Sequence, residues 1–389
     1  MRLRFSERKL LEHLLGIGLL LSFVLPHTST LMLMVNPMFF LLYQCFQKNR
    51  VFYRYNWIIV VPILFTLLVN MPQAVKMKAL INAGTVLMYF LCFPLVGKVR
   101  LRNFYLKLTL GIVVFSQIVY IFHIPFLSDL LDRLYPIAQL DVHGVNSMRR
   151  HITWSNIMRY RLGGLYRDPN ICSKSLTMLL AAFLSLNFGK PLKSLVPYAA
   201  ICFAGVLCTG SRTGFAVAAG ILVAFVFLDK RISKYWRWGV VLGAAAGLIF
   251  ILTARFGVRS LNISQGFNNS ASQKYLILND YLDHERSLFR LLTGYLDYDR
   301  FVPTVLLSIE KFDADVGYMI YCFGFIGLVA MLVYFVTIFW RMDSMRYIFF
   351  MLLLWMLTQS IVMAYRSFFS FMLILSCVYN AHKKYRVDV

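Results

Sequence analysis

Acidic residues are scarce in this chain. It carries 17 Asp and Glu against 40 Lys and Arg in 389 residues, and charged residues of both signs make up only 15%. A water-soluble domain of this size needs far more charge on its surface, which excludes that class. The chain also lacks the alternation of apolar and polar residues that marks a membrane β-barrel. It has no C-x-x-C pair, and Cys45, Cys92, Cys172, Cys202, Cys208, Cys322 and Cys377 all fall in apolar stretches. That usage argues against a structural zinc site and against a disulfide framework. No small-residue cleavage site follows Pro26, so Arg2, Arg4, Arg8 and Lys9 ahead of an apolar run read as a retained signal-anchor rather than a signal peptide.

What the chain has in abundance is apolar length. Hydrophobic residues make 59% of it and mean hydropathy is +0.67. Apolar segments run over 10–26, 29–46, 56–71, 79–97, 107–127, 171–188, 194–209, 213–228, 238–254, 316–340, 346–363 and 367–381. Each approaches the roughly 20 residues that cross a bilayer, which predicts an all-α polytopic membrane protein with about 12 transmembrane helices. Residues 1–389 read as a single integral membrane domain.

The basic residues orient it. With the N-terminus inside, the cytoplasmic turns carry Lys48, Arg50 and Arg54; Lys98, Arg100 and Arg102; Lys190 and Lys193; Lys230, Arg231, Lys234 and Arg237; and Arg341 and Arg346. The opposite short turns are lean, so the chain is expected N-in and C-in. The same bias accounts for the net charge of +23 and removes the case for nucleic acid.

Two long connections, 128–170 and 255–315, then face outward. Loops of that length without obvious structure are usually functional or disordered. Their Leu, Tyr, Phe and Trp content argues against disorder. They gather Arg149, Arg150, Arg159, Arg161 and Arg167 in the first, and Arg255, Arg259, Lys274, Arg286, Arg290 and Arg300 in the second. Two readings stay open. Long loops translocate whatever their charge, so these residues can be solvated surface. Alternatively, their planar forks hold an anion, for which phosphate oxygens are the natural partner.

Four stretches could carry chemistry. Arg159 to Asn170 runs into an apolar helix. Asp168 can cap that helix and Pro169 suits its first position, while free amides at Asn170 with arginines upstream would bind an anion. Thr209-Gly210-Ser211-Arg212-Thr213-Gly214 must turn back tightly, which Gly210 and Gly214 allow. Arg212 there either snorkels to lipid or holds a ligand. Tyr275 to Tyr295 reads as one amphipathic helix, with Ile277, Tyr281, Leu288 and Leu292 on a face and Arg286 and Arg290 one turn apart. His284 lies within it. Finally, Asp315 opens the helix after the second loop. It is either a favourable dipole partner or a base for a sugar hydroxyl.

Taken together, Arg161-x-Gly163-Gly164-x-x-x-x-Pro169-Asn170, the helix pair joined at Ser211-Arg212, and Asp315-x-x-Tyr318 followed by Gly324 and Gly327 resemble the bacterial O-antigen polymerase and ligase superfamily. The resemblance covers residues 155–330. It implies a glycosyltransferase of the inner membrane with its active site in the periplasm, working without metal or other cofactor. The implied donor and acceptor are glycans on undecaprenyl diphosphate. Membrane lipids surround the enzyme, and a chain-length regulator is a further implied partner. Diphosphate and glycan binding would fall to Arg161, Asn170, Arg212, Arg286 and Arg290. Asp315 is the first candidate base and His284 the second. Ligases carry His-Asn where this chain has Asp315-Val316, which favours the polymerase branch. A ligase and a lipid-linked glycan flippase are the alternatives.

Reporters fused after Leu127 and after Arg259 should therefore read as periplasmic, and fusions after Lys193 and Arg341 as cytoplasmic. A cytoplasmic signal after Arg259 would put the second arginine-rich loop on the wrong side.

Overall fold

The computed structural model describes residues 5–25, 54–71, 77–91, 93, 101–122, 124–134, 162–166, 169–253, 278–296, 315–343, 345–358 and 365–382. Among them the regular structure is helical throughout, with no β-strand. The helices are α1 (Phe5–Val24), α2 (Trp57–Asn70), α3 (Met77–Leu91), α4 (Asn103–Ile121), α5 (Pro125–Leu134), α6 (Pro169–Leu186), α7 (Leu192–Cys208), α8 (Arg212–Leu228), α9 (Lys234–Thr253), α10 (Leu288–Thr293), α11 (Asp315–Arg341), α12 (Arg346–Leu353), α13 (Trp355–Thr358) and α14 (Tyr365–His382). A helical stretch at 278–284 precedes α10. Three helices, α4, α6 and α11, are long and apolar enough to cross a bilayer, and several shorter apolar helices accompany them. The apolar segment expected at 29–46 lies outside the described residues.

Helix α6 is the axis of the bundle. It packs on α4, α7, α8, α12 and α14. Every residue from Cys172 to Ser185 is buried, so this helix shows no exposed stripe, and its Ser173, Lys174, Ser175, Thr177 and Ser185 lie inside the bundle with its apolar residues. One polar tie in its interior is Thr177, whose hydroxyl accepts from the Trp355 indole at 3.0 Å. An aromatic layer of Phe90, Tyr334, Phe335 and Phe368 joins α3, α11 and α14, with ring centroids 4.9–6.0 Å apart. Such edge and offset pairs each add about 0.5–1.5 kcal/mol beyond their burial.

Sequence and structure part company in α11. Its residues run from Asp315 to Arg341 as the apolar run predicts, but the backbone leaves the helix at Gly324 (φ +67°, ψ −177°). A helix break deprives carbonyls of their partners four residues on. Here the second loop supplies new ones. The Tyr295 and Leu296 amides donate to the Tyr321 and Cys322 carbonyls at 2.8 and 2.9 Å. Both glycines at this crossing are required. A Cβ on Gly324 would sit 2.0 Å from the Leu292 carbonyl oxygen, and one on Gly294 (φ +72°) would sit 2.5 Å from Cys322. Non-helical backbone inside an apolar bundle is tolerable only where its polar groups are satisfied in this way.

The two long connections return to one end of the bundle. The first re-enters at 162–166, where the Tyr166 hydroxyl donates to the Phe23 carbonyl at the end of α1. The second meets Asn70 at the end of α2. The opposite end holds the Glu12–Arg102 pair at 2.9 Å, the Asp229–Arg231 pair at 2.5 Å and a contact between Arg341 and the Tyr55 hydroxyl.

Gly324→Ala should destabilise the protein by about 3 kcal/mol or more, since it adds left-handed strain to a backbone clash. Gly111 lies mid-helix with nothing within 4 Å of an added Cβ. Gly111→Ala should therefore be stabilising by about 0.5–1 kcal/mol. Thermal unfolding in detergent compares the two, and equal melting points would mean the crossing is loose.

Candidate functional site

The second loop builds a patch from its own short elements. The single amphipathic helix expected over Tyr275–Tyr295 does not form. The helical stretch 278–284 stops, and α10 starts afresh after Ser287, whose hydroxyl accepts from the Arg290 amide at 3.3 Å. Glu285 ties the gap by accepting from the Ser287 amide at 2.9 Å. A serine cap with a local carboxylate outcompetes continuation of the helix. The faces also differ from the expected stripe: Tyr281 is buried while Leu288 is exposed. Arg286 falls in the gap, exposed, rather than one helical turn from Arg290.

Arg290 is half-buried and partly committed. Its Nη1 donates to the Asn70 side-chain oxygen at 2.8 Å. Asn70 is fully buried, and its own amide group donates to the Thr66 carbonyl at 2.9 Å. The guanidinium also lies 5.1 Å over the Tyr295 ring. Among the described residues its Nε and Nη2 have no partner, so one edge of the fork remains for an anion. Tyr295 stacks on Tyr321 at 5.5 Å and donates its hydroxyl to Glu285. Burial, then the hydrogen bond to Glu285 and its charge, raise the Tyr295 phenol above its ordinary range. Burial, with Glu285 next, does the same to Tyr281. Both rings therefore stay neutral and act as donors or walls.

His284 stands at the edge of this patch. Its Nδ1 lies 2.8 Å from the Asp280 carbonyl oxygen and 3.2 Å from that residue's carboxylate. Two acceptors face Nδ1, which fixes the proton there and leaves Nε2 as the basic nitrogen. Asp280 is buried and the imidazole is 63% exposed. An oriented, accessible imidazole is a competent proton acceptor. Asp315 differs: it opens α11 as expected but is wholly buried, at 0% exposure.

At the same end, the first loop is sewn into the bundle. Gln117 donates to the Leu162 and Gly205 carbonyls at 3.3 and 3.1 Å, and the Leu165 amide donates to Ser116 at 2.9 Å. Gly164 (φ +57°) passes so close to Ser116 that a Cβ would meet its hydroxyl at 2.5 Å. The Gly163-Gly164 motif is thus a backbone device. Beyond it, Asn170 is the second residue of α6 and Arg212 the first of α8, both half-buried. Ser211 caps α8 by accepting from the Gly214 amide at 3.2 Å. Gly214 lets α8 press on α6, since a Cβ there would lie 1.6 Å from the Ser173 hydroxyl. Asn170 and Arg212 thereby open neighbouring helices.

The structure thus gathers His284, Arg286 and Arg290 in one patch, and Asn170 and Arg212 at a pair of helix starts on the same end. Arg161 and Asp168 lie outside the described residues. Sequence reasoning passed over Asn70, Asp280 and Lys174. The last is 2% exposed on the apolar helix α6. A lysine within an apolar run was its signal, because a buried cation is tolerated only with compensation. For Asp280 the signal was its place four residues before a histidine on a helix. No family model, curated protein or solved structure matches the chain.

Arg290→Ala leaves the buried Asn70 oxygen without its donor and should destabilise by about 1–3 kcal/mol. Arg286→Ala should leave the melt unchanged, because Arg286 is exposed. Equal effects in thermal unfolding would mean that the Asn70 contact contributes nothing.

Proposed function

We propose that the chain is a polysaccharide polymerase of the bacterial inner membrane. On this reading it is N-in and C-in with about 12 spans, and both long loops face the periplasm. It joins oligosaccharide repeat units carried on undecaprenyl diphosphate, as in O-antigen or capsule assembly. The acceptor hydroxyl attacks the donor's anomeric carbon, the bond to diphosphate breaks, and undecaprenyl diphosphate leaves. The donor bond is already activated, so no nucleotide is needed on that face.

The observation that carries this reading is the patch on the second loop: an exposed imidazole oriented by a buried aspartate, beside two arginines whose forks retain free edges. In the proposed reaction His284 takes the hydroxyl proton, and Asp280 holds its tautomer. Arg286 and Arg290, with Arg212, Asn170 and Arg161, carry the charge that grows on the departing diphosphate. Holding two large amphiphiles in register supplies several kcal/mol more. Burial of Asp315 moves it behind His284 in the order of candidate bases. A ligase would run the same chemistry onto a different acceptor, and Asp315-Val316 in place of His-Asn favours the polymerase.

The broken helix α11 gives a flippase its one specific support, since transporters use interrupted helices as binding sites. Here, however, Tyr295 and Leu296 already occupy the carbonyls of Tyr321 and Cys322. Those groups are spent on structure, which supports the enzyme reading over the transporter.

Purified protein given lipid-linked repeat units should lengthen glycan without nucleotide and in the presence of EDTA. His284→Ala should cost about 10²–10⁴-fold in turnover with protein levels intact, the range for a general base. Arg286→Lys should rescue only part of the Arg286→Ala loss, because a point charge cannot copy a bidentate fork. Wild-type turnover in His284→Ala together with a severe loss in Asp315→Asn would return the base to Asp315. No extension by the wild-type protein would remove the polymerase reading.

A further inference from the structure

Along α8, and reaching the end of the bundle opposite both loops, runs a cleft that the proposed reaction does not use. Helices α9 and α12 both pack on α8, and a groove of about 570 Å³ opens between them. Its floor is Ala219, Gly220 and Ala224 of α8, and its walls are Ala244 and Ala245 of α9 and Met351 of α12. The lining is almost wholly apolar. It extends along α8 from Ala216 to Leu228. At 1.5 Å per residue that is about 18 Å, close to the roughly 15 Å depth of one leaflet's hydrocarbon.

One end of the groove is polar and basic. Tyr347 lines it, and Arg346 donates to the Tyr347 hydroxyl at 3.0 Å with its guanidinium 5.2 Å over the Trp340 ring. Below Leu228, Arg237 donates through Nη2 to the Asp229 carbonyl at 3.3 Å, while its Nε is buried without a partner among the described residues. Lys230, Arg231 and Lys234 lie in the same turn, against Asp229 and Asp343. Asp229 is already committed to Arg231, whose hydrogen bond holds its carboxyl below the usual range. A surplus of cationic donors therefore remains. Tyr235, Trp236, Trp238 and Trp340 are exposed at this level, as aromatic side chains are where a bilayer meets water.

An apolar slot about one leaflet deep, with arginines at the headgroup level, matches an amphiphile with one anionic head. We propose that this cleft seats an anionic phospholipid of the leaflet on that side. One acyl chain lies along Ala219, Gly220 and Ala224, and the phosphate sits between Arg237 and Arg346. Basic pockets between transmembrane helices bind acidic lipid headgroups by this chemistry. The site is independent of the reaction proposed above.

The full-length protein in detergent tests it. Phosphatidylglycerol should raise the melting temperature by several degrees, and phosphatidylcholine with the same chains by much less. The difference between the two lipids should vanish in Arg237→Gln/Arg346→Gln, which removes the head contacts, and in Ala224→Phe, which fills the slot. Should Ala224→Phe fail to fold, the double variant alone decides. Equal stabilisation of the wild type by both lipids, or an undiminished preference in the double variant, would overturn the proposal. So would efficient crosslinking between copies through Ala245→Cys, which would mean that a second chain covers the groove.

Discussion

The arrangement of the candidate site rests on one backbone exchange. Helix α11 gives up its own hydrogen bonds at Gly324, and the strand-like segment Gly294–Leu296 takes them over. In an apolar interior each unmet carbonyl would be expensive, so the break and the loop segment require each other. Several described contacts of the second loop converge on that crossing. Tyr295 reaches Glu285, Arg290 lies over Tyr295, and Asn70 accepts from Arg290 while donating weakly to the Gly294 carbonyl at 3.4 Å. A loop of this length would otherwise be free to move relative to the helices. Here three consecutive residues tie it to α11, and the candidate site gains a rigid support.

The arginines at this end differ in kind. Arg290 divides its fork between structure and an open edge, so its removal has two consequences that must be measured separately. Arg286 has no protein partner among the described residues, and Arg212 opens α8 beside a capping serine. In the proposed reaction this graded set would serve a diphosphate, one arginine positioning it, another adding charge and a helix start offering amides. The far end spends its arginines differently, on Glu12, Asp229 and aromatic faces, as expected where cations meet lipid headgroups.

Part of the scaffold was legible because apolar length is a local signal. The helical class, the start of α11 at Asp315, and tight turns at Gly164 and Gly210 follow from a few neighbouring residues each. The misread helix over Tyr275–Tyr295 shows the limit. Its apolar spacing was real, but Ser287 capped a new helix and placed Tyr281 and Leu288 in different environments. The end of α4 at Ile121 rather than at 127 has the same origin, since Pro125 suits the first turn of α5. Asn70 was invisible for another reason. Its partner Arg290 is 220 residues away, and no local pattern announces such a contact. The break at Gly324 likewise needs Gly294 to make sense. Asp280, by contrast, was within reach of sequence reasoning through its spacing from His284. The O-antigen polymerase assignment itself rests on motif resemblance and site chemistry.

The Asn70 contact also bears on how the chain is made. Helix α2 is synthesised early, carrying an amide whose acceptor and donor at Gly294 and Arg290 have yet to be made. At about 5–20 residues per second the interval is roughly 10–45 s. Throughout that time the nascent N-terminal half holds a polar side chain at the end of an apolar helix, satisfied only through Thr66. Assembly is therefore ordered in time: the Asn70 contact forms only after residue 294 of 389, and its anchor on α11 follows later still.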